Sequence, residues 1–305
     1  GAMLIADPSA NLNVSNSTFT GNTAVDDGGA IVNNANPTTI TNSLFQNNSV
    51  TGISPNNDGG AIQNTLNADG TTIRLSSFIG NSTTNTNDNN ARGGAIANSG
   101  TNFVLANVTF SGNSANETAA AAGNAQGGAV WSGDNATIHN VTFSGNSVSD
   151  TCTGAADGGN LFQNAGTLTV ANSILNGGTE NGAAGNCGGV ITDGGNNIAY
   201  SSGDCGGGFV NSDPLLGALT GSPAYFPLNT GSPAINAGES TAAVCLNAVT
   251  TNSTSQNGLT RPQGASCDIG SYEALPASTL TLQKIVTNDN GGIAVVGDFG
   301  ITTSA

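Results

Sequence analysis

The sequence predicts an all-β fold: a right-handed parallel β-helix (solenoid) with a C-terminal cap and a short trailing β-hairpin segment. Three observations carry this expectation. A Phe-x-x-Asn tetrapeptide recurs at Phe19/Asn22, Phe45/Asn48, Phe78/Asn81, Phe110/Asn113 and Phe143/Asn146. A Gly-Gly pair recurs at Gly28, Gly59, Gly93, Gly127 and Gly158, with a weaker echo at Gly188. Successive copies lie about 26 to 34 residues apart, the period of solenoids and arrays, and one such unit is too small to bury its own apolar face without stacking on its neighbours.

Side-chain alternation identifies the unit as a set of short strands. Five places before each Phe stand Val14, Ile40, Ile73, Leu105 and Ile138, all apolar. The next residue is Ser15, Thr41, Arg74, Ala106 or His139, so this column tolerates polarity and charge. Such alternation over short runs is the signature of half-buried strands rather than helices. Three places before the Phe comes a column of Asn16, Asn42, Leu75, Asn107 and Asn140. Asn accepts left-handed backbone and so suits the bends, and stacked amides can hydrogen-bond from coil to coil. Leu75 interrupts that column, and a local irregularity is expected there. The Gly-Gly pairs mark a bend where a Cβ would collide or where φ must be positive.

These GGAI/GGAV and FxxN tetrapeptides, five pairs in register over about residues 12 to 180, resemble the repeats of the chlamydial polymorphic outer-membrane proteins and related bacterial surface β-helices. The resemblance implies an extracellular adhesin-like or scaffold β-helix. Further on come Asp213-Pro214-Leu215-Leu216, Gly231-Ser232-Pro233-Ala234-Ile235-Asn236-Ala237-Gly238, Arg261-Pro262-Gln263-Gly264 and Cys267-Asp268-Ile269-Gly270-Ser271-Tyr272-Glu273. This ordered series is similar to the C-terminal region of choice-of-anchor Q domain proteins over roughly residues 170 to 275. That resemblance implies an exported, cell-surface β-helix without an assigned enzymatic activity.

The organisation follows. Residues 1–3 read as an expression scar and 4–210 as β-helix repeats. Residues 211–275 read as the final coils and a disulfide-stapled cap, which a solenoid needs over its open end. Residues 276–305 form a linker and a partial β-sandwich-like segment with a hairpin signal at Asn288–Gly292, resembling the opening of a prealbumin-like or collagen-adhesin-B-like repeat. In that wider group a strand Lys can form an isopeptide crosslink, and Lys284 takes that place. The segment also offers an edge for self-association. Because the sequence starts almost inside a repeat, it reads as an excised part of a longer exported protein.

Composition limits the partners. The net charge is −15 and only 8% of residues are charged, which disfavours nucleic acid and anionic membranes. No run of about 20 apolar residues offers a membrane span. Cys187 and Cys205 bracket one Gly-rich region, Cys245 and Cys267 another, and local pairing in that order is expected; it points to an oxidising compartment, and Cys152 is left over.

The repeats offer few groups for chemistry. Asp26, Asp27, Asp58 and Asp157 precede Gly-Gly pairs and could stack on one edge at about 4.8 Å per coil. That edge could bind a ligand, hold structural Ca²⁺ or supply a hydrolase pair, although no calcium-loop consensus is present. Arg92 is expected in a long loop, paired at the surface with Asp88. Trp131 offers either a sugar-stacking platform or core or edge packing. His139 stands in the outward column with no second His and reads as a surface residue. Asn-x-Ser/Thr sites at Asn81, Asn107 and Asn140 follow from composition alone. The reading is a non-enzymatic adhesin or stalk without a cofactor, holding variable Asn/Asp-rich loops toward a host-cell, cell-wall or matrix glycan or protein surface. The alternative is a carbohydrate-active β-helix: a polysaccharide hydrolase, a lyase or a glycan-binding module using the acidic residues.

Overall fold

Alternating apolar residues only bury their inward faces if every coil lies in register on the next, and the computed structural model keeps that register through the repeats, shifting once where Leu161–Ala171 pairs with Cys187–Asp193. It describes residues 1–276 except 55, 88, 120–122, 152, 240–244 and 246–252, and beyond them 291–293 and 295. The described chain is all-β, a parallel β-solenoid of about five turns. A full coil adds one strand to each of five lanes. The first two lanes belong to one long sheet. Its first lane holds Met3–Ile5, Ile31–Asn33, Ile62–Asn64, Ile96–Asn98 and Val130–Ser132; its second holds Leu12–Ser15, Thr38–Thr41, Thr72–Arg74, Phe103–Ala106 and Ala136–His139. Both run into Leu161–Ala171, where the turn between the lanes has become continuous strand.

A seven-stranded phenylalanine sheet follows, from Thr18–Thr20 to Ile198–Tyr200, and then a serine sheet from Thr23–Ala24 to Thr179–Glu180. A short fourth sheet contains Asn56–Asp58, Asn90–Arg92, Ala125–Gln126 and Ala156–Asp157. Phe19, Phe45, Phe78, Phe110 and Phe143 stack with ring centroids 4.7 to 4.9 Å apart, set by the ladder spacing. All but Phe19, which ends the stack half-buried, are fully buried, each contributing about 2–3 kcal/mol of hydrophobic stabilisation.

Asn16, Asn42, Asn107 and Asn140 all adopt left-handed backbone, with φ between 48° and 54°, so this column makes the bend between the long and phenylalanine sheets. The irregularity expected at Leu75 does not occur. Leu75 takes φ 50° like its neighbours, and the strands on both sides keep their register. The flanking ladders, with Leu75 N–H donating to the Ala106 carbonyl at 3.2 Å, hold it there against a left-handed cost of about 1–2 kcal/mol. The amide ladder of this column is carried by Asn42 on Asn16 at 2.6 Å and by Asn172 on Asn140.

The main ladder is formed by the Asn of Phe-x-x-Asn. Asn22 donates to Asn48, Asn48 to Asn81, Asn81 to Asn113 and Asn113 to Asn146, at 2.8 to 2.9 Å; Asn146, Asn160 and Asn186 continue it. A second buried ladder joins Asn33, Asn64 and Asn98. The two glycines of each pair meet the two needs separately. Gly28, Gly59, Gly93, Gly127 and Gly158 have φ of 54° to 73°. At Gly29, Gly60, Gly94 and Gly128 a Cβ would be driven into the carbonyl of the next coil's second glycine.

Both expected disulfides are present, Cys187–Cys205 and Cys245–Cys267. The end of the core is closed by Cys205 and Phe209, which pack on the main apolar cluster. The segment assigned as coils and cap, 211–275, lies elsewhere: its described part runs back along the outer side of the phenylalanine sheet. Ala224 N–H donates to Ser77 Oγ, Gln256 accepts from Thr109 Oγ1, and Ser271 N–H donates to Thr142 Oγ1. Leu228, Ala234 and Ile269 cover Ile174 and Ile198 of the same outward column, which an end cap would leave in water. Arg261 fastens this flank, fully buried on Glu273 and the carbonyls of Asp268 and Gly270; its burial lowers the guanidinium pKa to about 10. Residues 275–305 form a separate unit, and Lys284, residues 288–290 of the hairpin signal and most of the self-association segment lie outside the described residues.

Candidate functional site

The residue before each Gly-Gly pair lies on the outer face of the fourth sheet. Asp27 bridges Asp58, and Asp58, Arg92, Gln126 and Asp157 follow in register. The stacked acidic edge is therefore interrupted: Arg92 and Gln126 separate Asp58 from Asp157. The pairing expected for Arg92 is also different. It is a strand residue, and it forks onto Asp58, Nε to Oδ1 at 2.8 Å and Nη2 to Oδ2 at 3.0 Å. Their side chains are only 18% and 8% exposed, so this is a largely desolvated pair rather than a surface one.

Across the Gly-Gly corner stands Trp131, with the Arg92 guanidinium 4.5 Å over its ring. Trp131 is 4% exposed and packs with Ala97 and Phe162. At that burial its face is closed to a sugar, so the structure gives a packed side chain in place of the stacking platform. The cation–π contact contributes about 1–2 kcal/mol in such a desolvated setting.

Asp27 is half-buried and accepts Asp58 N–H at 3.1 Å. Burial, then the neighbouring Asp58, raises its pKa to about 6. Asp58 is pushed up by burial, against the pull of Arg92. Asp26 is exposed at the rim of an open concavity of about 600 Å³ beside Thr23, Val25, Ser49 and Thr51. Asp157 joins two residues that no repeat pattern indicated, Glu180 and Asp204; burial and the Asp204 charge raise its pKa.

Structural calcium fits these groups poorly. Glu180 Oε1 already accepts Gly158 N–H at 2.8 Å, and Asp204 accepts from Asn186 N–H and Ser202 Oγ. Arg92 supplies the counter-charge at Asp58. Among the described residues, one close set of Cys, His or acidic atoms has metal-like spacing, Cys187, Asp204 and Cys205, and its two sulfurs are bonded to each other. His139 is half-buried, and burial lowers its pKa. Asn81, Asn107 and Asn140 are fully buried and closed to glycosylation.

Beside the charged column runs an amide ladder that the sequence reading passed over. Asn90 Nδ2 donates to Asn56 Oδ1 at 3.2 Å and Asn124 Nδ2 to Asn90 Oδ1 at 3.1 Å. The residues between the columns, Asn57, Ala91 and Ala125, point into the core. The variable loops 53–55, 86–89, 118–124 and 151–155 connect the serine sheet to this fourth sheet in the chain, and their described parts lie on one side. No family model matches the chain, and neither a curated protein nor a solved structure matches it. Among the described residues no helix is long and apolar enough to cross a membrane.

Proposed function

We propose that this chain is a non-enzymatic adhesin or stalk module of a larger bacterial cell-surface protein, exported through an oxidising compartment. The observation that carries the reading is the fate of the paired carboxylates. Glycoside hydrolysis needs one protonated and one ionised carboxyl flanking an open cleft. Asp27 has the raised pKa of an acid, and that favours the carbohydrate-cleaving alternative. Asp58, its neighbour, has both oxygens forked by Arg92 and an almost wholly buried side chain. Such a carboxylate supports the corner rather than attacking a substrate. Continuous amide ladders and ring stacks make the coils a stiff support for loops gathered on one side, the arrangement in which binding residues usually lie. The disulfides and the resemblance to surface β-helices support export.

The test is retention of the chain on immobilised cell-wall and host-matrix glycans and proteins, compared with a variant whose loops are shortened within 86–89 and 118–122. Retention by the intact chain is expected. An intact chain that binds nothing on such surfaces removes the adhesin half of the proposal and leaves the stalk.

A further inference from the structure

We infer that the outer face of the fourth sheet, built from Asn56, Asn90, Asn124, Arg92 and Gln126, is a binding strip for an uncharged polysaccharide. The inference rests on the adhesin reading and gives it a place and a ligand class.

Two columns make the strip. The amides of Asn56, Asn90 and Asn124 are chained along the axis, and Asn124 Oδ1 also accepts Ala155 N–H at 2.9 Å. Every amide in that chain is held at a fixed rotamer and half-exposed, with hydrogen-bonding capacity left over. Two residues along each strand lies the second column, Asp58, Arg92 and Gln126. Arg92 is immobilised twice, by the fork to Asp58 and by the Trp131 ring, and uses two of its five N–H donors on Asp58. Gln126 is half-buried, and among the described residues its side chain makes no hydrogen bond. Donors and acceptors thus recur at about 4.8 Å along the axis and about 6.6 Å across it, spacings that a polymer of hydroxylated rings can follow. Because the side chains are already ordered, binding does not cost the usual loss of rotamer freedom.

Charge selects the ligand class. Arg92 is neutralised by Asp58, so the middle of the strip carries no net charge. Asp27 and Asp157 stand at the two ends of its charged column, in a chain of net charge −15. An acidic polymer is repelled, and the Arg92 fork that would grip a carboxylate is occupied. Hydroxyl groups suit what remains: amide N–H and C=O, and guanidinium N–H.

The experiment is affinity electrophoresis of the full chain in gels containing laminarin, mannan or galactan as neutral probes, with polygalacturonate and heparin as acidic ones. Gln126→Ala and Asn124→Ala change the strip; Gln126 supports no other described group, so its variant folds with an unchanged melting temperature. The expected result is retardation by at least one neutral polymer and none by the acidic pair. Each variant should then weaken binding about tenfold, the worth of one lost hydrogen bond to a fixed donor. Full binding by a folded Gln126→Ala chain, or preference for the acidic polymers, overturns the strip. Binding that survives in the strip variants but disappears on shortening the loops within 86–89 and 118–122, which keeps Asn124 in place, leaves the adhesin reading standing and refutes this one. No retardation by any neutral polymer refutes the strip outright, while retention on protein surfaces would still sustain the adhesin.

Discussion

Replacing Asn113 by Ala cuts the buried ladder at its centre. The amide makes four hydrogen bonds: Nδ2 donates to Phe78 O at 2.9 Å and to Asn146 Oδ1 at 2.8 Å, while Oδ1 accepts the Asn81 backbone N–H and Nδ2, both at 2.9 Å. Phe78, Asn81 and Asn146 are all fully buried. The substitution therefore leaves the Asn81 backbone N–H and one hydrogen of its Nδ2 without their acceptor and out of reach of solvent. At about 1–3 kcal/mol for each stranded group, Asn113→Ala should cost about 3–5 kcal/mol. Asn22→Ala is the internal control. Asn22 ends the ladder half-buried, and its side chain makes one bond, to Asn48 Oδ1 at 2.8 Å, so its loss should cost about 1 kcal/mol. Urea unfolding followed by circular dichroism measures both, with equal slopes required before midpoints are compared. Equal costs for the two variants, or less than about 1 kcal/mol at Asn113, would refute the claim that buried amide ladders hold the coils in register.

Three further perturbations test other parts of the solenoid. Arg92→Ala strands the buried Asp58 charge and should cost about 2–4 kcal/mol, whereas the double variant with Asp58→Asn should recover much of that, read in the same urea series. Asp27 has its folded pKa raised to about 6 from an ordinary 3.8, so its stabilising contribution is full below pH 3.8 and is lost as pH rises through 6. Asp27→Asn should accordingly flatten the melting temperature across that window and stabilise the chain at pH 8, by about 1 kcal/mol once solvent screening of this half-exposed group is allowed for. Gly128→Ala drives a methyl into the Gly159 carbonyl and should cost well over 2 kcal/mol, while Gly112→Ala, at φ 64° with open space around it, should cost about 1 kcal/mol.

The repeat register, the inward column and the recurring Phe positions were legible because each is local and recurs at a fixed offset; both disulfides were legible because each closes a short stretch of chain. The Asn bends were legible too, but the more deeply buried ladder ran through Asn48, Asn81 and Asn113. In a tetrapeptide, a corner residue and a buried amide look alike. Leu75 misled because a break in a side-chain column was equated with a break in the backbone, and packing on both sides overrides that preference. Arg92 could have been placed: it precedes Gly93-Gly94 as Asp58 precedes Gly59-Gly60. Proximity to Asp88 in the sequence obscured that equivalence. Glu180 and Asp204 had no such signal, since the repeat lapses after about residue 180. The flank built from 211–274 was hidden for a different reason. Ser77, Thr109 and Thr142 are ordinary outward residues of a solvated sheet, and only Ile174 and Ile198 in the same column hint that something covers it.

Scaffold and enzyme part most directly in one measurement: release of oligosaccharides from neutral and acidic polysaccharides, read by mass spectrometry from about pH 4 to 8, the range in which Asp27 would change protonation. A non-catalytic solenoid releases nothing at any pH, and Asp27→Asn and Asp58→Asn behave as the parent chain does. Products that accumulate with time, and vanish in either variant, would contradict the scaffold and make the Asp27–Asp58 corner an active site.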